Sequence, residues 1–158
     1  EQAGEGQFVT GLLVRIDLTG AAAGIVNAGH PPPLRLRAGQ VEHVRLEADR
    51  PFGLQPGRGY RVQALRLGVG DRLVFVPGGM LGREAARMNI AAILTASMDM
   101  HAREAVQHLT QAVLQASGGQ LRDDATALCL DWHGGPPRDR DATSGADREG
   151  RLDQAASA

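Results

Sequence analysis

Gly24-Ile25-Val26-Asn27-Ala28-Gly29-His30-Pro31-Pro32-Pro33-Leu34-Arg35-Leu36-Arg37 is the stretch on which the fold turns. Its first four residues read as the return strand of a hairpin. Phe8–Ile16, dense in Val and Leu, is the outgoing strand, expected to be buried, and Thr19-Gly20 signals the turn. Pro31-Pro32-Pro33 ends any regular pairing, because proline has no N–H to give to a ladder. Leu34-Arg35-Leu36-Arg37 then alternates apolar with polar, as a strand with one buried face should. The turn Ala38-Gly39-Gln40 leads into Val41–Leu46, which completes a second hairpin.

Further along, Ala48–Gly59 is a loop punctuated by Pro51, Gly53, Pro56, Gly57 and Gly59. Tyr60–Leu67 is another strand, and Gly68–Asp71 turns the chain into Leu73-Val74-Phe75-Val76. A continuous apolar run of that kind belongs in the middle of a sheet, covered on both faces. Pro77-Gly78-Gly79 stops it. Two helices follow, at Met88–Met98 and Ala102–Ser117. In the second, Ala102, Ala105, Val106, Leu109, Ala112, Val113 and Ala116 share one face. Asp99 is the expected N-terminal cap and Gly118-Gly119 the stop. Thr126–Trp132 alternates again and forms the last strand. Short strands, two adjacent helices and a final strand define an α+β domain.

Bulk properties narrow the function classes. With 158 residues the chain can build one domain with one sizeable core. Aromatics make up 3%, so the core must be aliphatic. The net charge of -1 creates no basic field, which argues against nucleic acid or an anionic membrane as partner. The single cysteine, Cys129, excludes an internal disulfide and, within an alternating apolar run, reads as a buried inert thiol. No apolar run is long enough for a membrane span, and the opening Glu1-Gln2-Ala3-Gly4-Glu5 is unlike a secretory leader, so a cytoplasmic location is expected. From Gly134 onward Leu152 is the one sizeable apolar residue, and 134–158 is expected to be a disordered tail.

Three stretches carry a family resemblance. Phe8-Val9-Thr10-Gly11-Leu12-Leu13 with Val26-Asn27-Ala28-Gly29-His30-Pro31-Pro32-Pro33-Leu34 is the first. Pro51-Phe52-Gly53-Leu54 with Gly70-Asp71-Arg72-Leu73-Val74-Phe75 is the second, and Leu121-Arg122-Asp123-Asp124-Ala125-Thr126 the third. In this order and approximate spacing they resemble the C-terminal portion of SpoIIE-like, PPM-type bacterial protein serine/threonine phosphatases. The resemblance implies a PPM-type β-sandwich with flanking helices over 1–133, incomplete at its N-terminal side. It also implies Mn or Mg held by carboxylates, and hydrolysis of phosphoserine or phosphothreonine by a metal-generated hydroxide. The implied substrate is a small phosphorylated regulatory protein of the anti-sigma-factor antagonist type.

The same resemblance identifies what is missing. The family's upstream Asp-Gly metal motif precedes the stretch present here. The Asp of the motif after the second strand stretch is matched by Gly78. Asp123 matches the remaining metal ligand, and Asp124 the neighbouring, non-ligating position. His30 is a candidate neighbour of the active site, against the alternative of a loop histidine fixed by the prolines. His101 and His108 lie on the second helix as expected solvent-side residues, since no Cys or carboxylate completes a ligand set with them. Gly78-Gly79 lacks a phosphate-loop context and reads as a strand terminator. Arg35, Arg37 and Arg45 are expected on a solvated hairpin face. Two functions follow: a phosphatase domain with impaired metal chemistry, or an inactive relative that binds a signalling partner. Strand edges left uncovered are expected to favour self-association.

Overall fold

The computed structural model describes residues 8–54, 57, 59–78, 88–119 and 126–134. The chain runs β1 (Gly11–Ile16), β2 (Ala22–Ala28), β3 (Leu34–Arg37), β4 (Gln40–His43), β5 (Gln63–Arg66), β6 (Arg72–Phe75), α1 (Ile90–Ala96), α2 (Ala102–Ala116) and β7 (Leu128–Asp131). Two antiparallel sheets result, ordered β1-β2-β5 and β4-β3-β6-β7. Pro31-Pro32-Pro33 is where the chain leaves one sheet for the other, since β2 and β3 belong to different sheets. The expected strand breaker is thus the crossover between the layers.

β6 shows why its continuous apolar sequence was needed. Leu73 packs in a core between the sheets with Ala23, Ile25, Leu65, Leu67 and Trp132. Val74, on the opposite face, packs with Leu34, Leu94, Leu109 and Val113 under the helices. Successive side chains on a strand point to opposite faces, so a middle strand covered by a sheet and a helical layer must be apolar at every step. The result is three layers: sheet, sheet, helices. β7 obeys the same alternation, with Leu130 against the inter-sheet core and Cys129 against the helical one. Burial and the nearby Asp131 carboxylate push the Cys129 thiol up to about 11, as expected of an inert thiol.

The expected β3–β4 hairpin forms, but its turn is Ala38-Gly39 alone: Gln40 already pairs with Arg37, and β4 ends at His43, short of the expected Leu46. Both turn residues have positive φ, 48° and 76°, as the mirror-image hairpin turns require.

Several expectations are corrected. β1 is an edge strand: Leu12, Val14 and Ile16 pack inward while Leu13 is 65% exposed, so density of apolar residues overstated its burial. α2 is capped by His101, whose ring accepts from Arg103 N–H while Glu104 accepts from His101 N–H, a capping box that replaces the expected Asp99 cap. The helix starts at Ala102 as expected, but Asp99 lies within the turns at 97–100, whose Ser97 and Met100 carbonyls are bound by Arg72. His101 is therefore a cap, and His108 has its Nδ1 buried; neither is a plain solvent-side residue. Arg37 is not merely solvated, since its guanidinium grips Asp71 at 2.6 and 2.5 Å. The expected tail lies outside the described residues beyond Gly134. No described helix is long and apolar enough to cross a membrane.

Candidate functional site

One end of the sandwich gathers the Val9–Gly11, Asn27–Leu34 and Pro51–Phe52 parts of the resembling stretches. β1 starts there and β2 ends there, since Gly11 pairs with Ala28. β3 starts, β6 ends and β7 starts at the same end of the second sheet, given the registers Leu34↔Val74 and Phe75↔Leu128. Five strand ends thus deliver their loops to one region.

Asn27 organises the loop after β2. It is fully buried, and its Oδ1 accepts the His30 N–H at 2.9 Å, while its own carbonyl accepts Asp49 N–H at 2.7 Å. A short amide side chain that bonds the backbone three residues on is a local turn device. Gly29 follows with φ of +74°, and a Cβ there would lie 3.3 Å from Pro51 Cγ. Both conformation and space therefore favour glycine. Val9 and Phe52 exchange two backbone hydrogen bonds, at 3.0 and 2.8 Å, so the loop containing Phe52 is sewn to the strand entry of the first stretch.

His30 is half-buried, with Nδ1 2.9 Å from the Pro31 carbonyl oxygen. A carbonyl can only accept, so Nδ1 is the donor in this contact. Gly78 is exposed just beyond β6, and a Cβ built on it would meet Pro31 Cγ at 3.7 Å, ordinary contact. The structure therefore brings Gly78 beside the Gly29–Pro31 loop. Among the described residues a Cβ at 78 is therefore tolerated. Asp123 and Asp124 lie outside the described residues.

The carboxylates on the strands are committed elsewhere. Asp71 precedes β6 and Asp131 ends β7, at the far end of the sheet from Gly78. Burial pushes the Asp71 carboxyl up, but the Arg37 fork and the Gly68 N–H outweigh it and hold the group below the usual carboxylate range. Asp131 accepts both branches of Arg72, at 2.6 and 2.8 Å. Asp49 is occupied by the backbone N–H of Arg61 first and its guanidinium second, which lower its pKa. Among the described residues no three His, Cys, Asp or Glu side chains gather as a metal site. Those residues do not fit a pair of hard dications, which need several oxygen donors and negative charge.

Arg72 and Asp71 are the residues sequence reading passed over. The signal was available only as two adjacent charges at the mouth of an apolar strand. Their partners, Asp131 and Arg37, lie 59 and 34 residues away.

The two antiparallel sheets and two helices match about 60% of a PPM-type phosphatase domain. The family model for SpoIIE, stage II sporulation protein E, matches residues 1–133, and the chain belongs to that family. Solved structures agree in fold. The Mn-presoaked phosphatase domain of the cell fate determinant SpoIIE from Bacillus subtilis is 21% identical over 82% of this chain and 59% of that one, with a TM-score of 0.65. The RsbU and RsbW domains of a Mycobacterium tuberculosis protein share 24% identity over 81% of this chain and 38% of theirs, with a TM-score of 0.64. The SiaA-PP2C domain of Pseudomonas aeruginosa shares 18% over 77% and 50%, with a TM-score of 0.63. The chain thus spans about 60% of the SpoIIE phosphatase domain it matches. No curated protein sequence matches it significantly.

Proposed function

We propose that this chain is the C-terminal part of a protein serine/threonine phosphatase domain whose metal-dependent activity is impaired, and that its substrate class is a phosphorylated regulatory protein of the anti-sigma-factor antagonist type. Family membership and the RsbU and RsbW domains among its fold relatives support the substrate class. The observation that carries the impairment is Gly78. It stands beside the Asn27–Pro31 loop with room for a side chain and has none, while Asp71 and Asp131 are locked into ion pairs at the far end. Asp123 is the one position of the chain that matches a family ligand.

A second reading has a specific observation in its favour. Among the described residues the loops at this end are positioned by backbone hydrogen bonds, the Asn27 amide and apolar contacts. A pseudophosphatase that engages its partner through the same surface needs nothing more.

Calorimetric titration with Mn²⁺ beside hydrolysis of a phosphoserine peptide separates the readings. The expected result is no turnover by this chain at millimolar Mn²⁺, with or without Gly78→Asp. Binding tighter than about 1 mM, roughly -4.1 kcal/mol, with turnover lost in Asp123→Ala, would overturn the impairment and establish an active enzyme.

A further inference from the structure

Beside the convergent end lies a cavity of about 560 Å³ lined by Ala48, Asp49, Arg50, Pro51, Gly59, Tyr60 and Arg61. It is fixed to the candidate site at two points. Asp49 N–H bonds the Asn27 carbonyl, and Pro51 packs on Gly29. Its walls are braced by Arg61, which bonds Asp49 through its N–H and Nε at 2.8 and 2.9 Å and also engages Glu47. Tyr60 is held against Phe52, ring centroids 4.9 Å apart.

The charges in the lining are unequal among the described residues: two guanidiniums to one carboxylate. Asp49 and Arg61 satisfy one another. Arg50, exposed at the cavity wall, has neither hydrogen bond nor ion pair among the described residues. An exposed guanidinium that lines a cavity with Tyr60 is suited to a carboxylate or phosphate on a peptide, because its planar fork can donate two parallel hydrogen bonds. The preceding Asp49 turns both its oxygens to Arg61, through the Arg61 N–H and Nε.

We propose that this cavity docks an acidic side chain of the partner protein near its phosphorylated residue, with Arg50 as the residue that selects it. This rests on the reading of the chain as a module that engages a phosphoprotein, active or not. The committed occupant is an Asp- or Glu-bearing peptide segment. Aspartate and glutamate share the required chemistry, and free phosphate is the competing source of the same anion contact.

The test uses the full chain and fluorescein-labelled peptides in anisotropy titrations at low salt. One peptide carries phosphoserine with Asp/Glu flanks, one phosphoserine with Asn/Gln flanks, and one unphosphorylated serine with Asp/Glu flanks. Acidic flanks are expected to tighten binding about tenfold, the scale of one charge-assisted contact. Arg50→Ala should abolish that flank dependence, Arg50→Lys should keep part of it, and Arg45→Ala, outside the cavity, should leave it whole. Inorganic phosphate at millimolar level should compete weakly. Flank dependence that is absent, or that survives Arg50→Ala, overturns the proposal. Displacement of the acidic peptide by phosphate at micromolar level also overturns it and makes the cavity an anion site. Equal binding of the phosphorylated and unphosphorylated acidic peptides, still lost in Arg50→Ala, supports the docking site and refutes the phosphoprotein reading instead.

Discussion

Arg72→Leu is the substitution whose cost the fold specifies most fully. Arg72 is 3% exposed and its guanidinium holds three separate pieces of the domain. Nε and one Nη bind the Asp131 carboxylate on β7. The other Nη donates to the Ser97 carbonyl at the end of α1 at 2.5 Å, and the first Nη also reaches the Met100 carbonyl at 2.6 Å before α2. Burial works against the charge, and the Asp131 pairing more than offsets it, so the guanidinium stays ionised. Leucine fills much of the same volume but leaves a mostly buried carboxylate unpaired and two turn carbonyls short of a donor. Losing one partner of a buried pair costs about 3–5 kcal/mol, and an unsatisfied buried carbonyl about 1–3 kcal/mol. These overlap because one guanidinium serves all three, so about 4 kcal/mol is expected, against a total stability of about 5–15 kcal/mol for a domain.

Urea unfolding followed by fluorescence measures this directly. Trp132 is the chain's one tryptophan, is buried, and adjoins Asp131. With a slope of about 2 kcal/mol per molar, the midpoint should fall by about 2 M. The double variant Arg72→Leu/Asp131→Leu should recover at least about half of the loss, because no unpaired charge stays buried. A single-variant cost under about 1 kcal/mol, or a double variant whose cost equals the sum of the two singles, would refute the account.

Three further outcomes are expected. Because the Asp71 carboxyl lies below its ordinary value in the folded chain, its contribution is complete above about pH 4 and is lost as pH falls through the folded value; Asp71→Asn should lower stability at neutral pH by about 1–3 kcal/mol and flatten the acid limb of a pH series. Ala38 sits at φ 48° in a two-residue turn before Gly39, a conformation asparagine tolerates better, so Ala38→Asn should raise stability by about 0.5–1 kcal/mol in chemical denaturation; a fall would show that the side chain at 38 matters otherwise. In the sheet ordered β1-β2-β5 both outer strands lack a second neighbour among the described residues, so sedimentation should find dimers or larger species, and a monodisperse monomer would count against open edges.

What the sequence disclosed follows from where its information is local. The alternation in Leu34–Arg37, the apolar run of β6 and the face of α2 each depend on residues a few positions apart, and each appears as expected. Phe8–Ile16 was over-read because apolar density does not say how many faces a strand has covered; only the neighbours of β1 decide that Leu13 is exposed. The α2 cap was misplaced because Arg72, distant in sequence, fixes the turns before it. The Arg37–Asp71 and Arg72–Asp131 pairs depend on strand register, which no local pattern encodes. Gly78 and His30 were singled out through their motifs, whereas the packing of Gly29 on Pro51 and of Pro31 beside Gly78 comes from the topology that folds the loops together.

That topology separates the scaffold of the site from its chemistry. Asn27, Gly29, the Val9–Phe52 stitch and the Pro31–Gly78 contact position the loops, and none of them uses a carboxylate that a metal would need. A Cβ at 78 would make only ordinary contact with Pro31, so among the described residues a side chain there is not excluded by the scaffold. The loop that carries Arg50 hangs on the same scaffold through the Asn27 carbonyl. Selection for folding alone preserves that scaffold whether or not turnover persists, and with it the docking wall. Stability measurements are accordingly blind to the state of the reaction centre, and a thermally robust chain is no argument for an active one. Binding can be weighed apart from both: a variant such as Arg50→Ala changes neither the core nor the loop braces, so an altered peptide affinity in it reports recognition and nothing else.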